Sequence, residues 1–217
     1  MDCRIVEVEA GSEVHASLRR GRLTASHAGD WIASPGSDRF RDYRELVVKN
    51  LLGYEEEELA GPYIAQAKAM DPLARDAYTY KTSQKLTPDL MLIHPQLHFL
   101  SGTPDGVWIP DRDGLIKISN KASLTTYQNT VRKLEETGEV EAKYRPQLQC
   151  LMLITGLHRV DFVNYFHDEE SSVRKIHIFP VARDQDLIDI IEEQAIIFMT
   201  DCYKRAARYS NSGNENE

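Results

Sequence analysis

Between Leu90 and Ile118 the chain abandons helical spacing for four short apolar runs. Leu90 to Ile93, Phe99 to Gly102, Gly106 to Ile109 and Leu115 to Ile118 each span four residues, long enough for a strand and too short for a helix. Pro104, Pro110 and the Asp111-Arg112-Asp113-Gly114 turn punctuate them, and the last of these reads as a hairpin turn. A strand meander must bury at least one face, so this stretch requires helices or further strands packed upon it.

The flanks supply them. Ser12 to Gly21 reads as a short helix closed by glycine, and Thr24 or Ser26 caps a second that runs to about Ala33 and stops at Ser34-Pro35-Gly36. Asp38 opens a third, with Leu46, Val47, Leu51 and Leu52 on one side and Gly53 as its stop. Tyr63 to Gln84 has helical composition but contains Pro72. An interior proline costs about 3 kcal/mol, so a break is expected, with Asp71 as N-cap, Pro72 at the first helical position and Leu73, Ala77 and Tyr80 on one face. Thr125 to Glu136 and Tyr144 to Thr155 read as helices, Arg159 to Phe166 and Arg174 to Ile178 as strands. Asp184 to Arg208 reads as an amphipathic helix with Leu187, Ile190, Ile191, Ile197 and Phe198 as its stripe. This order predicts one α/β domain over residues 1–209: a helical N-terminal part, then a central mixed β-sheet flanked by helices. The polar residues 210–217, SNSGNENE, are expected to be a disordered tail.

Composition narrows the function classes. No apolar run approaches the ~20 residues of a membrane span, and the opening MDCRIVEVEAGSE is too acidic and broken for a signal peptide. Cys3, Cys150 and Cys202 have no metal-like spacing and read as reduced thiols of a cytoplasmic protein. The net charge of −8 excludes a broadly basic nucleic-acid surface. Only a local patch can serve, such as Arg19, Arg20 and Arg22, which alone would read as a solvated helix end.

Five segments in order carry a more specific pattern: LRRGRLTAS (18–26), DPLARDAY (71–78), GTPDGVW (102–108), GLIKIS (114–119) and YRPQLQ (144–149). Together they resemble the lambda-exonuclease, or YqaJ-type viral recombinase, family, over nearly all of the chain up to about residue 167. The resemblance implies a restriction-endonuclease-like fold with a PD-(D/E)xK site that degrades one strand of duplex DNA from its 5′ end with Mg²⁺ or Mn²⁺. It further implies a phage or prophage role in the cytoplasm of a bacterial host, a ring-shaped homotrimer, and a single-strand annealing protein as partner.

On this resemblance Asp105 matches the central metal-binding aspartate, a hard oxygen ligand of the kind Mg²⁺ takes; by itself it is also a turn aspartate. Asp71 matches a helix-borne glutamate, one methylene shorter, and competes with its reading as an N-cap. Gln147 matches a glutamine that helps hold the site, while Gln149, two residues on, should point elsewhere. Arg19, Ser26 and Thr103 match a pocket for the terminal 5′-phosphate, in which a guanidinium forks two oxygens and hydroxyls donate to others.

Two departures stand against the pattern. Aligned without gaps, the family's catalytic Glu falls on Lys117 and its Lys on Ser119. A lysine at a metal ligand's position opposes a cation by about 4 kcal/mol at ~4 Å and an effective dielectric of 20. A shift of two residues places Lys121 on the lysine and Ser119 on the glutamate, which restores the cation but not the acid. The turn residues Asp111 and Asp113, then Glu135 and Glu136, are the remaining acids to consider. The second departure is His15, where the family commonly has Trp, and it reads as a packing change. Three functions are therefore expected in competition: a DNA-end-binding protein weak or inactive in cleavage, an active exonuclease with relocated groups, or an interaction protein that uses the nuclease scaffold against a host nuclease or defence complex.

Overall fold

The computed structural model describes residues 3–54, 62–108 and 114–212. The strands fall into two mixed sheets. The first has the order β1-β4-β5-β2, from β1 (Arg4–Glu7), β2 (Leu23–Thr24), β4 (Leu90–Ile93) and β5 (Leu100–Gly102). Here β1 and β5 pair antiparallel to β4, and β2 pairs parallel to β5. The second has the order β3-β6-β7-β8-β9, from β3 (Leu86–Thr87), β6 (Gly106–Trp108), β7 (Gly114–Asn120), β8 (Arg159–Asp168) and β9 (Val173–Ala182).

The expected meander is thus real but divided, two strands to each sheet, and the single central sheet of the sequence reading becomes two. Pro104 lies between β5 and β6, and it can neither continue a ladder nor donate to one. β7 and β8 are parallel neighbours. A parallel pair needs a long crossover, which is supplied by α5 (Leu124–Thr137) and α6 (Arg145–Thr155). The turn expected at residues 111–113, with Asp111 and Asp113, and the tail residues 213–217 lie outside the described residues.

Before the sheets come α1 (Glu13–Arg19), a 3-10 turn (Ala25–His27), α2 (Ala28–Trp31) and α3 (Asp38–Leu51). The Ser12 and Ser37 hydroxyls cap α1 and α3, accepting from the amides of His15 and Phe40. Gly21 and Gly53 have φ of +66° and +87°, which only glycine takes without strain. Thr24 is not a side-chain cap; its residue pairs with β5.

α4 (Pro62–Thr82) runs straight through Pro72, so the expected break with Asp71 as N-cap does not form. Tertiary packing overrides the local cost: Ala74 and Tyr78 are fully buried against Ile116, Ile118, Val163 and Tyr165 of the second sheet. The face expected to carry Tyr80 is offset, since Tyr80 is 93% exposed while Leu73 and Ala77 are partly buried.

The main core lies between α2, α3, α6 and α7 (Gln185–Ser212) and the inner faces of both sheets. On α7 the buried stripe is Ile188, Ile191, Ala195, Phe198, Met199 and Cys202. Ile190 and Ile197, expected in that stripe, are exposed instead. α7 also continues through Ser210 to Ser212, into the stretch expected to be disordered.

Candidate functional site

β7 carries the site because a strand alternates its side chains. Ile116, Ile118 and Asn120 turn toward α4, and Lys117, Ser119 and Lys121 share the other direction. Asp105 stands just before β6, and its amide donates to the Ile116 carbonyl at 3.1 Å. That bond holds the carboxylate against the middle of β7. Arg75 of α4 donates to the Asp105 carbonyl at 3.3 Å and anchors the same turn from the helix side.

The Lys117 ammonium donates to Asp105 Oδ2 at 2.7 Å, and the Ile118 amide donates to the same oxygen. Both side chains of this pair are about one-fifth exposed, 19% and 18%. Burial by itself would lower the Lys117 pKa, but the charge and hydrogen bond of Asp105, then the charge of Asp71, hold it above its ordinary value. The amine is therefore a cation at neutral pH.

Asp71 approaches from α4 and accepts from Asn120 Nδ2 at 2.7 Å. Burial first, then the neighbouring charge of Asp105, pushes its carboxyl up, against the Asn120 hydrogen bond and the charges of Lys117 and Arg75. The structure thus gathers Asp71, Asp105, Lys117 and Asn120 into one cluster. Asn120 was not singled out in the sequence; its register two residues beyond Ile118 on the α4-facing side was the available signal.

These residues do not fit a divalent cation in this arrangement. Oδ2 of Asp105 already accepts from an ammonium and an amide, and the lysine brings positive charge into the cluster where a further carboxylate would be needed. Among the described residues no group of three or more His, Cys, Asp or Glu side chains is gathered to hold a metal. Of the acids considered as replacements, Glu135 is 66% exposed and faces His177 of β9 at 3.9 Å, and Glu136 is exposed.

Lys121 and Ser119 form a second group along the same face. Lys121 is 7% exposed and donates to Ser119 Oγ at 2.9 Å and to Glu141 at 3.3 Å. Ser119 also meets the Tyr144 hydroxyl at 3.0 Å. Against the upward push of burial, the hydrogen bond from Lys143 and the charge of Lys121 hold the Glu141 carboxyl below its ordinary value. Glu141 is thus the acid nearest this lysine, and it was missed because it lies in the irregular stretch between α5 and α6.

Gln147 is half-buried on α6, one turn beyond Tyr144. Gln149 has the tighter structural part: 2% exposed, it donates to the Ala182 carbonyl at 2.9 Å and accepts from the Asp184 amide at 2.8 Å. It fastens α6 to the β9–α7 junction.

The third group surrounds the ends of β2 and β5. Their parallel register pairs Thr24 with Ser101, so Ser26 and Thr103 each lie two residues past the pair, at the same end of adjacent strands. Ser26 is exposed, with its hydroxyl 3.2 Å from that of Thr24. The Thr24 amide donates to the Tyr43 hydroxyl, and the charge of Arg19 reaches that buried phenol. Ser26 and Thr103 thus lie at one end of the β2–β5 pair, and Arg19 at the close of α1 is within electrostatic reach of Tyr43, which the Thr24 amide meets. Of the neighbouring arginines, Arg22 is structural, donating to the His98 carbonyl at 3.0 Å and to the Leu18 carbonyl.

His15 corrects a sequence expectation, because its role is polar. Its Nδ1 accepts from the Gly11 amide at 3.3 Å, so Nε2 carries the proton. Nε2 lies 3.1 Å from Thr103 Oγ1 and donates to it.

A family model for the YqaJ-like viral recombinase domain matches residues 15–158. Among solved structures, an alkaline exonuclease from Laribacter hongkongensis, LHK-Exo, superposes with a TM-score of 0.77 at 23% identity, over 95% of this chain and 100% of that one. A phage-related exonuclease from Haemophilus somnus 129PT superposes with a TM-score of 0.66 at 15% identity, over 87% of this chain and 96% of that one. At these identities the likeness shows a shared fold, the restriction-endonuclease-like α/β arrangement. No curated protein matches significantly. No helix among the described residues is long and apolar enough to cross a membrane.

Proposed function

The chain belongs to the YqaJ-like viral recombinase family, and from that premise we propose that it binds the 5′-phosphorylated end of duplex DNA without efficiently cutting it. One observation carries this reading: the Lys117 ammonium lies 2.7 Å from Asp105 Oδ2, on the carboxylate that a metal-dependent nuclease would present to its ion.

End binding needs no metal. The Arg19 guanidinium offers a fork of donors to two phosphate oxygens, and the Ser26 and Thr103 hydroxyls donate to the others. His15, 3.1 Å away, holds the Thr103 hydroxyl in place. Such charge-assisted bonds at one terminal phosphate favour an end over the interior of a duplex, since an internal phosphodiester lacks the extra ionisable oxygen. A local site of this kind tolerates the overall charge of −8.

Cleavage needs a water activated beside the phosphodiester and a cationic group to steady the charge that develops. In the family a divalent metal supplies the first. Here both carboxylates already have partners within the cluster: the Lys117 ammonium pairs with Asp105, and the Asn120 amide donates to Asp71. Ser119 brings no charge, and Lys121, the nearest other cation on this face, is committed to Ser119 and Glu141.

The decisive experiment incubates 5′-phosphorylated linear duplex with the protein and Mg²⁺ or Mn²⁺. Retention of the DNA without shortening, abolished by Arg19→Ala and by removing the 5′-phosphate, is the expected result. Shortening that disappears in Asp105→Ala would refute the proposal in favour of an active exonuclease with relocated groups. Neither binding nor shortening would leave the scaffold as an interaction protein for a host nuclease or defence complex. The double substitution Lys117→Glu with Ser119→Lys is expected to gain cleavage if the rest of the cluster is competent.

A further inference from the structure

Lys117 is paired, but its donors are not used up. An ammonium has three N–H donors, and Asp105 Oδ2 takes one of them. About one-fifth of the side chain stays exposed. Its surroundings are built rather than loose. Lys117 lies beside Phe162 in the parallel register of β7 and β8. The Phe162 ring packs on Tyr144, with centroids 4.9 Å apart, and the Tyr144 hydroxyl meets Ser119 at 3.0 Å. An aromatic ring with a hydroxyl edge therefore stands on one side of the lysine, and the turn that holds Asp105 on the other.

The charge here differs from that of the chain as a whole. Lys117, Arg75, Lys121 and Lys143 stand with Asp71, Asp105 and Glu141, four cations to three acids, in a chain whose net charge is −8. Asp71 and Asp105 alone would repel an anion. Lys117 answers Asp105 within hydrogen-bond distance and still has N–H groups to offer an oxyanion. The place along the chain matters too. Only Pro104 separates Thr103 from Asp105, so their Cα atoms are at most about 7 Å apart. A DNA strand advances about 3.4 Å per nucleotide along its axis. A strand whose terminal phosphate sits at Thr103 can thus bring its next phosphate to Asp105 and Lys117.

We propose that Lys117 is a phosphate-binding residue, whose ammonium holds the first internal phosphodiester of the 5′-ended strand where the family uses a divalent ion. The proposal rests on the end-binding reading above. A lysine binds phosphate as a compact point charge and needs no ion from solution. Unlike a metal, it carries no bound water whose pKa it lowers to make a nucleophile. Substituting an ammonium for the ion therefore keeps the grip on the strand and gives up the cut.

The test measures the affinity of the full chain, in chelator, for a short duplex phosphorylated at one 5′ end. Replacing the first internal linkage of that strand with a neutral methylphosphonate removes the charge that Lys117 holds, and should weaken binding about tenfold. The same replacement deep in the duplex should weaken it far less. Lys117→Gln should bind the unmodified duplex about as weakly as wild type binds the modified one, and should no longer tell the two apart. The wild-type comparison needs no variant to fold, and it decides alone where Lys117→Gln is not native by circular dichroism. A wild type blind to the first linkage, a folded Lys117→Gln that still senses it, or binding that chelator abolishes would overturn the proposal. Dependence on the terminal phosphate without dependence on the first linkage overturns this proposal alone. Indifference to the terminal phosphate refutes the end-binding reading and this proposal with it.

Discussion

Lys117→Glu is expected to convert a fold indifferent to divalent ions into one that depends on them. At 2.7 Å and an effective dielectric of 20, the Lys117–Asp105 attraction is about 6 kcal/mol before desolvation is counted. Removing one member of a buried pair costs about 3 to 5 kcal/mol in practice. With roughly one-fifth of each side chain exposed, the lower end applies, and a loss of about 3 kcal/mol is expected without metal. For a chain of this size that lowers the melting temperature by about 6 to 12 °C. The new carboxylate also repels Asp105 and Asp71, which adds to the loss. The same three acids then suit a hard divalent cation. Manganese at a hundredfold over its dissociation constant returns about 2.7 kcal/mol. Urea denaturation at neutral pH, with chelator and with Mn²⁺, reads both effects on wild type and variant. Lys117→Gln is the control, expected to lose stability and recover little. A wild-type protein stabilised by Mn²⁺ as strongly as Lys117→Glu, or a variant as stable as wild type in chelator, would refute the reasoning.

Four further substitutions probe the surroundings. The raised Asp71 pKa means that the folded state holds its proton more tightly than the unfolded chain, so stability falls as pH rises from the ordinary aspartate value through the folded value, and the cost persists at neutral pH. Asp71→Asn keeps an acceptor for Asn120 and removes that cost, so it should be more stable than wild type at neutral pH and lose this advantage in acid, as read by denaturation across pH. Gly114 pairs with Trp108 across β6 and β7, and a Cβ there would lie 1.8 Å from the indole, so Gly114→Ala should cost about 3 kcal/mol in the same assay. Gln149→Ala removes two part-buried hydrogen bonds to the backbone and should cost about 1 kcal/mol, while the half-buried Gln147→Ala should leave the denaturation midpoint nearly unchanged.

Local rules decided the elements. Short apolar runs between turn residues found β4 to the residue, because strand length and turn chemistry are local. Serine caps and left-handed glycines bounded α1 and α3, because capping acts within one turn. The ordered motifs were enough to imply the family. Relations between distant segments were not legible. The two-residue β2 and β3 are too short for a period to register, and the four-residue β1 shows none that the burial of a single sheet would dictate. Pro72 argued for a break, and only the packing of Ala74 and Tyr78 on the second sheet keeps α4 whole. Ile190 and Ile197 counted as core because hydrophobicity says that a side chain should be covered, not by what.

The same division holds at the site. Sequence by itself determined which groups were available: two aspartates, a lysine where an acid was expected, and an arginine with hydroxyls for an end. Tertiary structure alone decided who answers whom. His15 and Thr103 are 88 residues apart, and Tyr78 and Asp161 83 apart. A charge in a chain has no fixed environment until folding chooses its neighbours and removes the water. The Lys117–Asp105 contact was therefore a possibility in the sequence and became a specific, partly dehydrated ion pair only when the turn before β6 was bonded to the middle of β7.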